Sequence, residues 1–240
     1  MIPQIIHYCW FGRNPLPESA QKCIASWRKF LPDYEIKEWN EDNFDVNIIP
    51  YTQQAYEAGK YAFVSDYARF WILYHYGGLY FDTDVEVIKP MDDIIDRGAF
   101  MGLEIDGTKK GTTIAINPGL GLGAELEMSI YEEIIEGFHS LNFYNSDGSR
   151  NIFTMIPMIT SLFLQYGLQC NGLVQTVKGV TIYPQKYFNP LDCMTGVLNV
   201  YSETVSIHWY SASWMDKKNL WIRTIKMYIR RFFNYFKWIF

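Results

Sequence analysis

Residues 62–87 read AFVSDYARFWILYHYGGLYFDTDVEV, and their pattern decides the fold class. Ser65 is placed to cap a helix over residues 66–76, and Gly77-Gly78 stop it, because glycine accepts the left-handed backbone angles that end helices. Residues 79–88 alternate and are rich in β-branched side chains, which predicts a strand closed by Pro90. Upstream, residues 2–10 are a short apolar run of β-formers leading into a Gly/Pro loop. Residues 17–30 place Ala20, Cys23, Ile24 and Trp27 at helical spacing, residues 34–39 alternate again, and residues 51–61 suit a polar helix. The order β-α-β-α-α-β predicts an α/β domain with a mostly parallel sheet.

The second half is less regular. Residues 112–116 predict a strand, and Asn117-Pro118-Gly119 with Gly121 and Gly123 predicts a loop. Helices are expected over 125–138 and over 153–166, the latter kinked or started at Pro157. A polar loop spans 142–151, and late strands are expected over 180–183 and 205–209.

The chain has 240 residues, 49% hydrophobic, 18% aromatic and 20% charged, which is enough for a core and excludes disorder. A net charge of −5 argues against nucleic acid as the main partner. Cys9, Cys23, Cys170 and Cys193 form no CxxC pair and read as reduced thiols. The opening MIPQIIHYCWFG lacks a basic region and meets Arg13 too early for a signal peptide or span, so a cytoplasmic location is expected. Charge is unevenly placed. Residues 215–240 hold seven Lys/Arg and one acid, leaving 14 bases against 25 acids in residues 1–214. We therefore divide the chain into a domain over 1–214 and a basic appendage over 215–240.

Tyr80-Phe81-Asp82-Thr83-Asp84 is the sharpest chemical signal. On a strand, residues two apart share a side at roughly 7 Å between Cα atoms, so Asp82 and Asp84 can converge on one hard cation where the strand ends. Oxygen ligands of this kind suit Mg²⁺ or Mn²⁺. The ends of strands in an open α/β sheet are also where ligands settle. The competing reading is an exposed strand face with a turn. Asp66 and Arg69, three apart on a helix, can pair with each other. Their neighbours Phe63, Val64, Phe70 and Trp71 are apolar, so the pair is not on a solvated face and suits a polar ligand. His7 and His75 read as core residues and His139 as surface.

This stretch resembles the core signature of glycosyltransferase family 32, the sugar-transfer motif of capsule-synthesis transferases, yeast mannosyltransferases and the glucosylating domains of large clostridial toxins. The opening, IPQIIHYCWFGRNPLPESAQKCIASWRKFLPDYEIKEWNED, and the middle, INPGLGLGAE, are similar to that family as well. The resemblance spans roughly residues 1–214 and is nearest to the bacterial capsular-polysaccharide branch. It implies a GT-A fold, a nucleotide-sugar donor of the UDP-sugar type, a divalent metal (Mn²⁺ or Mg²⁺) and retention at the anomeric carbon. By that likeness Asp84 binds metal directly, Asp82 contacts ribose or sugar and reaches the metal indirectly, Asp66 holds sugar hydroxyls, and Arg69 reaches the sugar or the diphosphate. Trp10 matches an aromatic that stacks on the base. His208, in SIHWYSASW, stands where the family has a metal ligand; the toxin branch has an acid there. Ser211 or Ser213 is implied as a phosphate contact, and Trp214 as a residue closing over the diphosphate. The implied setting is transfer to a saccharide acceptor, lipid-linked, in capsular or surface polysaccharide synthesis.

Three other readings of the same residues compete. A glycoside hydrolase needs carboxylates flanking the bond from two sides, which an Asp pair two apart serves poorly. A phosphatase would want its DxD on the first strand and a different residue at Glu86. A non-catalytic carbohydrate-binding protein of the same fold would not need every one of these polar residues. In the appendage, Trp221, Ile225, Tyr228, Ile229, Phe232, Phe236 and Ile239 share one helical face, and Arg223, Lys226, Arg230, Asn234 and Lys237 the other. That pattern predicts an amphipathic helix lying on the inner membrane face, the alternative being packing on its own domain or on a homodimer partner.

Overall fold

The computed structural model describes residues 1–151, 155–193 and 195–211. From the amino end, β1 (Ile5–Cys9) leads through a loop to α1 (Glu18–Phe30), whose buried residues are the four that the spacing picks out. β2 (Glu35–Trp39) and α2 (Pro50–Glu57) follow, proline opening α2 because its missing N–H is not needed there. Then come α3 (Tyr61–Tyr76) and β3 (Gly78–Tyr80). α3 starts a turn earlier than expected, so Ser65 lies inside it rather than at its cap. The Ser65 hydroxyl donates to the Tyr61 carbonyl.

The strand expected over 79–88 is broken. After β3 the chain leaves the sheet, turns, and resumes as β4 (Val85–Val87). A short α4 (Asp92–Ile95) precedes β5 (Phe100–Ile105), a strand the periodicity did not mark. β6 is only Ala115–Ile116, and β7 (Leu122–Ala124) lies where a glycine loop was expected. α5 (Ser129–His139), α6 (Met155–Gln165), β8 (Gln175–Val177), β9 (Val180–Tyr183), α7 (Gln185–Phe188) and β10 (Ser206–His208) complete the described elements.

The main sheet runs β2-β1-β3-β7-β5-β9-β8, with β6 on β5. β1 pairs in parallel with β2 and β3, and β5 in parallel with β9. β7 lies antiparallel between β3 and β5, and β8 antiparallel to β9. Five strands of this path therefore point one way, and their carboxyl ends share one edge. Residues alternate between two apolar clusters. Leu79, Phe81 and Phe100 join Trp27 of α1, whereas Tyr80 and Met101 join residues of α2, α3, α5 and α6. The sheet thus has a helical layer on each face, as an α/β fold requires.

β7 follows from close packing. A Cβ on Gly123 would lie 2.3 Å from the Phe100 ring, so only glycine lets β7 approach β5. His7 is buried as expected. His75 is not; it is exposed at the end of α3, its ring tilted at 56° against that of Trp71, because the helix face turns outward there. His139 is exposed, as expected. All four cysteines are free thiols. Among the described residues no helix is long and apolar enough to cross a membrane. The appendage over 215–240 lies outside them.

Candidate functional site

Asp82-Thr83-Asp84 forms the turn between β3 and β4, closed by Val85 N–H donating to the Asp82 carbonyl at 3.0 Å. The turn, not strand alternation, brings the carboxylates together. It is anchored by Val85 and Val87, both buried, and by Trp27 Nε1–H, which donates to the Val85 carbonyl. β10 pairs antiparallel with β4, His208 opposite Val85, and so carries the imidazole to Asp84. His208 Nε2 lies 3.2 Å from Asp84 Oδ1. Ser211 donates twice to Asp84 Oδ2, from its N–H at 2.7 Å and its hydroxyl at 2.9 Å. The donors of Ser211 are thus turned to Asp84. Ser213 and Trp214 lie outside the described residues.

Arg69 is buried, at 3% exposure, and its Nη2 reaches Asp66 Oδ1 at 3.1 Å and Asp82 Oδ1 at 3.0 Å. Its Nε–H donates to the Ser65 carbonyl, its plane lies over the Tyr80 ring, and the Tyr80 hydroxyl donates to Asp82 Oδ1. The pair read as i, i+3 partners therefore has a third member, Asp82. Nη1 meets only the weak acceptor Met155 Sδ at 3.9 Å among described contacts, leaving hydrogen-bonding capacity on the guanidinium. Trp10 follows β1 at the same sheet edge, half-buried, its Nε1–H donating to the Asn14 carbonyl.

Burial sets the electrostatics of the cluster. It raises Asp66 to about 6 despite the pull of Arg69, with Asp82 adding to the rise. Burial also raises Asp82, against Arg69. For Asp84 burial again opposes ionisation, but His208 and the Ser211 donors outweigh it and hold the carboxyl well below the usual range. Burial disfavours the His208 cation, yet Asp84, Asp82 and Glu104 raise its pKa. Negative charge is concentrated at one point beside a buried guanidinium.

Asp82, Asp84 and His208 each offer a ligand atom, all within 4.8 Å of one another. His208 Nδ1 is buried without a hydrogen-bond partner among the described residues. The two carboxylates suit Mn²⁺ or Mg²⁺, and the imidazole favours Mn²⁺ over the harder, oxygen-seeking Mg²⁺, so the residues fit Mn²⁺ better. Gly119 shapes the cradle: a Cβ there would lie 2.5 Å from Asp82 Oδ2. Gly119 is fixed by its N–H donating to Asn117 Oδ1 at 2.8 Å, and Asn117 Nδ2 donates to Glu104 at 3.2 Å. Tyr80, Asn117, Gly119 and Glu104 had no site role in the sequence reading. Only the stretch from Asn117 to Gly123 carried a signal, as a loop expected to need unusual backbone angles; Pro118–Leu120 is a 3-10 turn, and the positive φ falls at Gly121, not at Gly119.

Residues 17–101 match the family described as glycosyltransferase sugar-binding region containing DXD motif. Inositol phosphoceramide mannosyltransferase 1 of Schizosaccharomyces pombe is 31% identical over 111 residues, 42% of this chain and 33% of that protein. An uncharacterized glycosyltransferase of Acanthamoeba polyphaga mimivirus is 33% identical over 106 residues, 42% of each chain. The matched segments thus cover 33% and 42% of the length of these relatives, less than half of either. Among solved structures the PaToxG glycosyltransferase superposes with a TM-score of 0.50 over 68% of this chain and 70% of that one, at 17% identity, a likeness of fold. The curated relatives include fungal mannosyltransferases and do not single out a capsular branch. Residues 17–101 thus match a glycosyltransferase sugar-binding region containing a DXD motif, with Asp82-Thr83-Asp84 where that motif falls, within an α/β fold like that of the PaToxG glycosyltransferase.

Proposed function

We propose that this chain is a retaining glycosyltransferase that moves a sugar from a nucleotide-diphosphate sugar, of the UDP-sugar type, to a saccharide acceptor. The observation that carries this is the convergence of Asp82, Asp84 and His208 beside buried Arg69, at the carboxyl ends of parallel strands. These three residues would hold Mn²⁺ or Mg²⁺, which when bound supplies Lewis-acid stabilisation to the diphosphate. Arg69, fixed by Asp66, Asp82 and Tyr80, is a preorganised donor to the same charge. Asp66 is placed to accept from sugar hydroxyls, and the half-buried Trp10 to stack on the base. The bond from the anomeric carbon to the β-phosphate oxygen breaks as the acceptor oxygen bonds to that carbon, and the acceptor's proton leaves with the departing phosphate. Retention is the stereochemistry that the family 32 resemblance implies.

The acceptor we propose is lipid-borne, in capsular or surface polysaccharide assembly. The fungal relative's name, which describes mannosyl transfer to an inositol phosphoceramide, supports a lipid-borne acceptor. The basic residues over 215–240 would hold the enzyme to the cytoplasmic membrane face. The test is release of nucleoside diphosphate from a panel of nucleotide sugars by the full chain, with Mn²⁺ or with chelator. Turnover of at least one donor that stops in chelator is expected. Absence of turnover and of binding across the panel would overturn the proposal.

A further inference from the structure

A cavity of about 290 Å³ adjoins the Asp82–Asp84–His208 cluster without including it. Its walls include Glu104 at the end of β5, Gln185 just after β9, and Asn189 and Tyr210. β5 and β9 run parallel, and their carboxyl ends lie on the sheet edge that carries Trp10 and the DXD turn. Along that edge β1, β3 and then β5 with β9 succeed one another. The order places the cavity on the opposite side of the metal ligands from Trp10.

Two short paths join the cavity to the cluster. The Tyr210 ring packs edge-on at 4.2 Å against His208, and its hydroxyl donates to Glu104 at 3.1 Å. Asn117 bridges Glu104 to Gly119, whose Cα abuts Asp82. The chemistry of the walls selects the occupant. Glu104, Asp106 and Asp192 face the cavity against one base, Lys109, so a phosphate is disfavoured and the donor's diphosphate does not belong there. Among the described residues each oxygen of Glu104 takes one hydrogen bond, which leaves it a lone pair for a hydroxyl. Asn189 is 2% exposed, and its Oδ1 has no hydrogen-bond partner among the described residues. A buried acceptor left in this state is costly unless a donor reaches it. Ile105 and Leu191 supply apolar wall for the C–H face of a ring.

We propose that this cavity is the acceptor subsite, binding a neutral sugar or cyclitol ring whose hydroxyls donate to Glu104 and Asn189. This rests on the sugar-transfer reading above and adds to it where the second substrate sits. Saturation-transfer NMR on the full chain with Mg²⁺ and UDP tests it, with methyl α-mannoside, methyl β-galactoside and myo-inositol as probes. At least one probe should receive saturation from the unaltered protein. Ile105→Trp, which fills the cavity from a position 39% exposed, should cut that signal at least fivefold and leave UDP affinity within twofold. No signal from any probe, or an undiminished signal in Ile105→Trp, would overturn the subsite. Should Ile105→Trp lose UDP as well, the isosteric Glu104→Gln decides: a signal equal to that of the unaltered protein counts against the proposal. A protein that binds a probe but not UDP would contradict the nucleotide-sugar reading and leave the polyol site standing.

Discussion

Asp66 illustrates how a site residue costs the fold. Burial lifts its folded pKa to about 6, above the ordinary 3.8, so the folded chain binds more protons than the unfolded one between those values. Stability from this group is therefore full below about pH 4 and falls as pH rises to about 6. Asp66→Asn should gain on the order of 2 kcal/mol at pH 8 and little at pH 4, measured by urea unfolding. Loss of turnover in this more stable variant is expected, because sugar hydroxyls lose an ionised acceptor. A variant less stable than the parent at pH 8 would contradict the burial account. Gly119 has the opposite character, since its importance is room and not charge. Gly119→Ala should weaken Mn²⁺ binding in calorimetry at least tenfold while moving the melting temperature by only a few degrees, as its Cβ would collide with Asp82 Oδ2 at 2.5 Å. Unchanged metal affinity would show that the Asp82 side chain simply moves aside.

At the scale of elements, the joint between α3 and β3 holds the DXD turn in place. Gly78, at φ +95°, has no room for a Cβ, which would sit 2.6 Å from the Ile5 carbonyl and 3.1 Å from His7 Nε2. His7 locks the joint. Trp39 Nε1–H must donate to Nδ1, so Nε2 carries the proton and donates to the Gly77 carbonyl, tying β1, β2 and the end of α3 together. Burial lowers the His7 pKa from 6.5 to about 4. The unfolded chain thus binds the extra proton first, and this contribution is full above about pH 6.5 and lost as pH falls toward 4. Its size is on the order of 3 kcal/mol, so the stability that His7→Gln loses relative to the parent should shrink by that order as pH falls from 6.5 to 4, over and above the opposite slope that Asp66 gives both chains. A parent-to-variant difference independent of pH would refute the assignment. Gly77-Gly78 and the four buried positions of α1 were legible because local periodicity and backbone freedom determine them. The break after Tyr80 was not, because an alternating run looks the same whether it stays in one sheet or crosses to another. β7 escaped for a related reason: its glycines are fixed by the Phe100 ring, a contact remote in sequence.

For the molecule as a whole, all three candidate metal ligands and the Asp66–Arg69 pair are legible in the sequence, because chemistry-bearing residue types and the family resemblance both mark them. The supporting residues Tyr80, Asn117 and Glu104 were hidden, since their roles come from which strand ends the topology gathers. The appendage beyond residue 214 adds a separate expectation. Removing everything after Lys218 should abolish co-sedimentation with anionic liposomes, about 1 kcal/mol being lost per basic residue near the surface, and should spare turnover with a soluble acceptor. Equal partitioning of the two chains would show that the segment packs on protein. The central claim is that Asp82, Asp84 and His208 hold a divalent cation that serves sugar transfer. Its most direct measurement is nucleoside diphosphate release from the preferred donor by the parent and by Asp84→Asn, each in Mn²⁺ and in chelator. The account predicts a loss of at least a hundredfold for Asp84→Asn in Mn²⁺ and a similar loss for the parent in chelator, with both chains folded. Parent-level turnover by Asp84→Asn in chelator would contradict it.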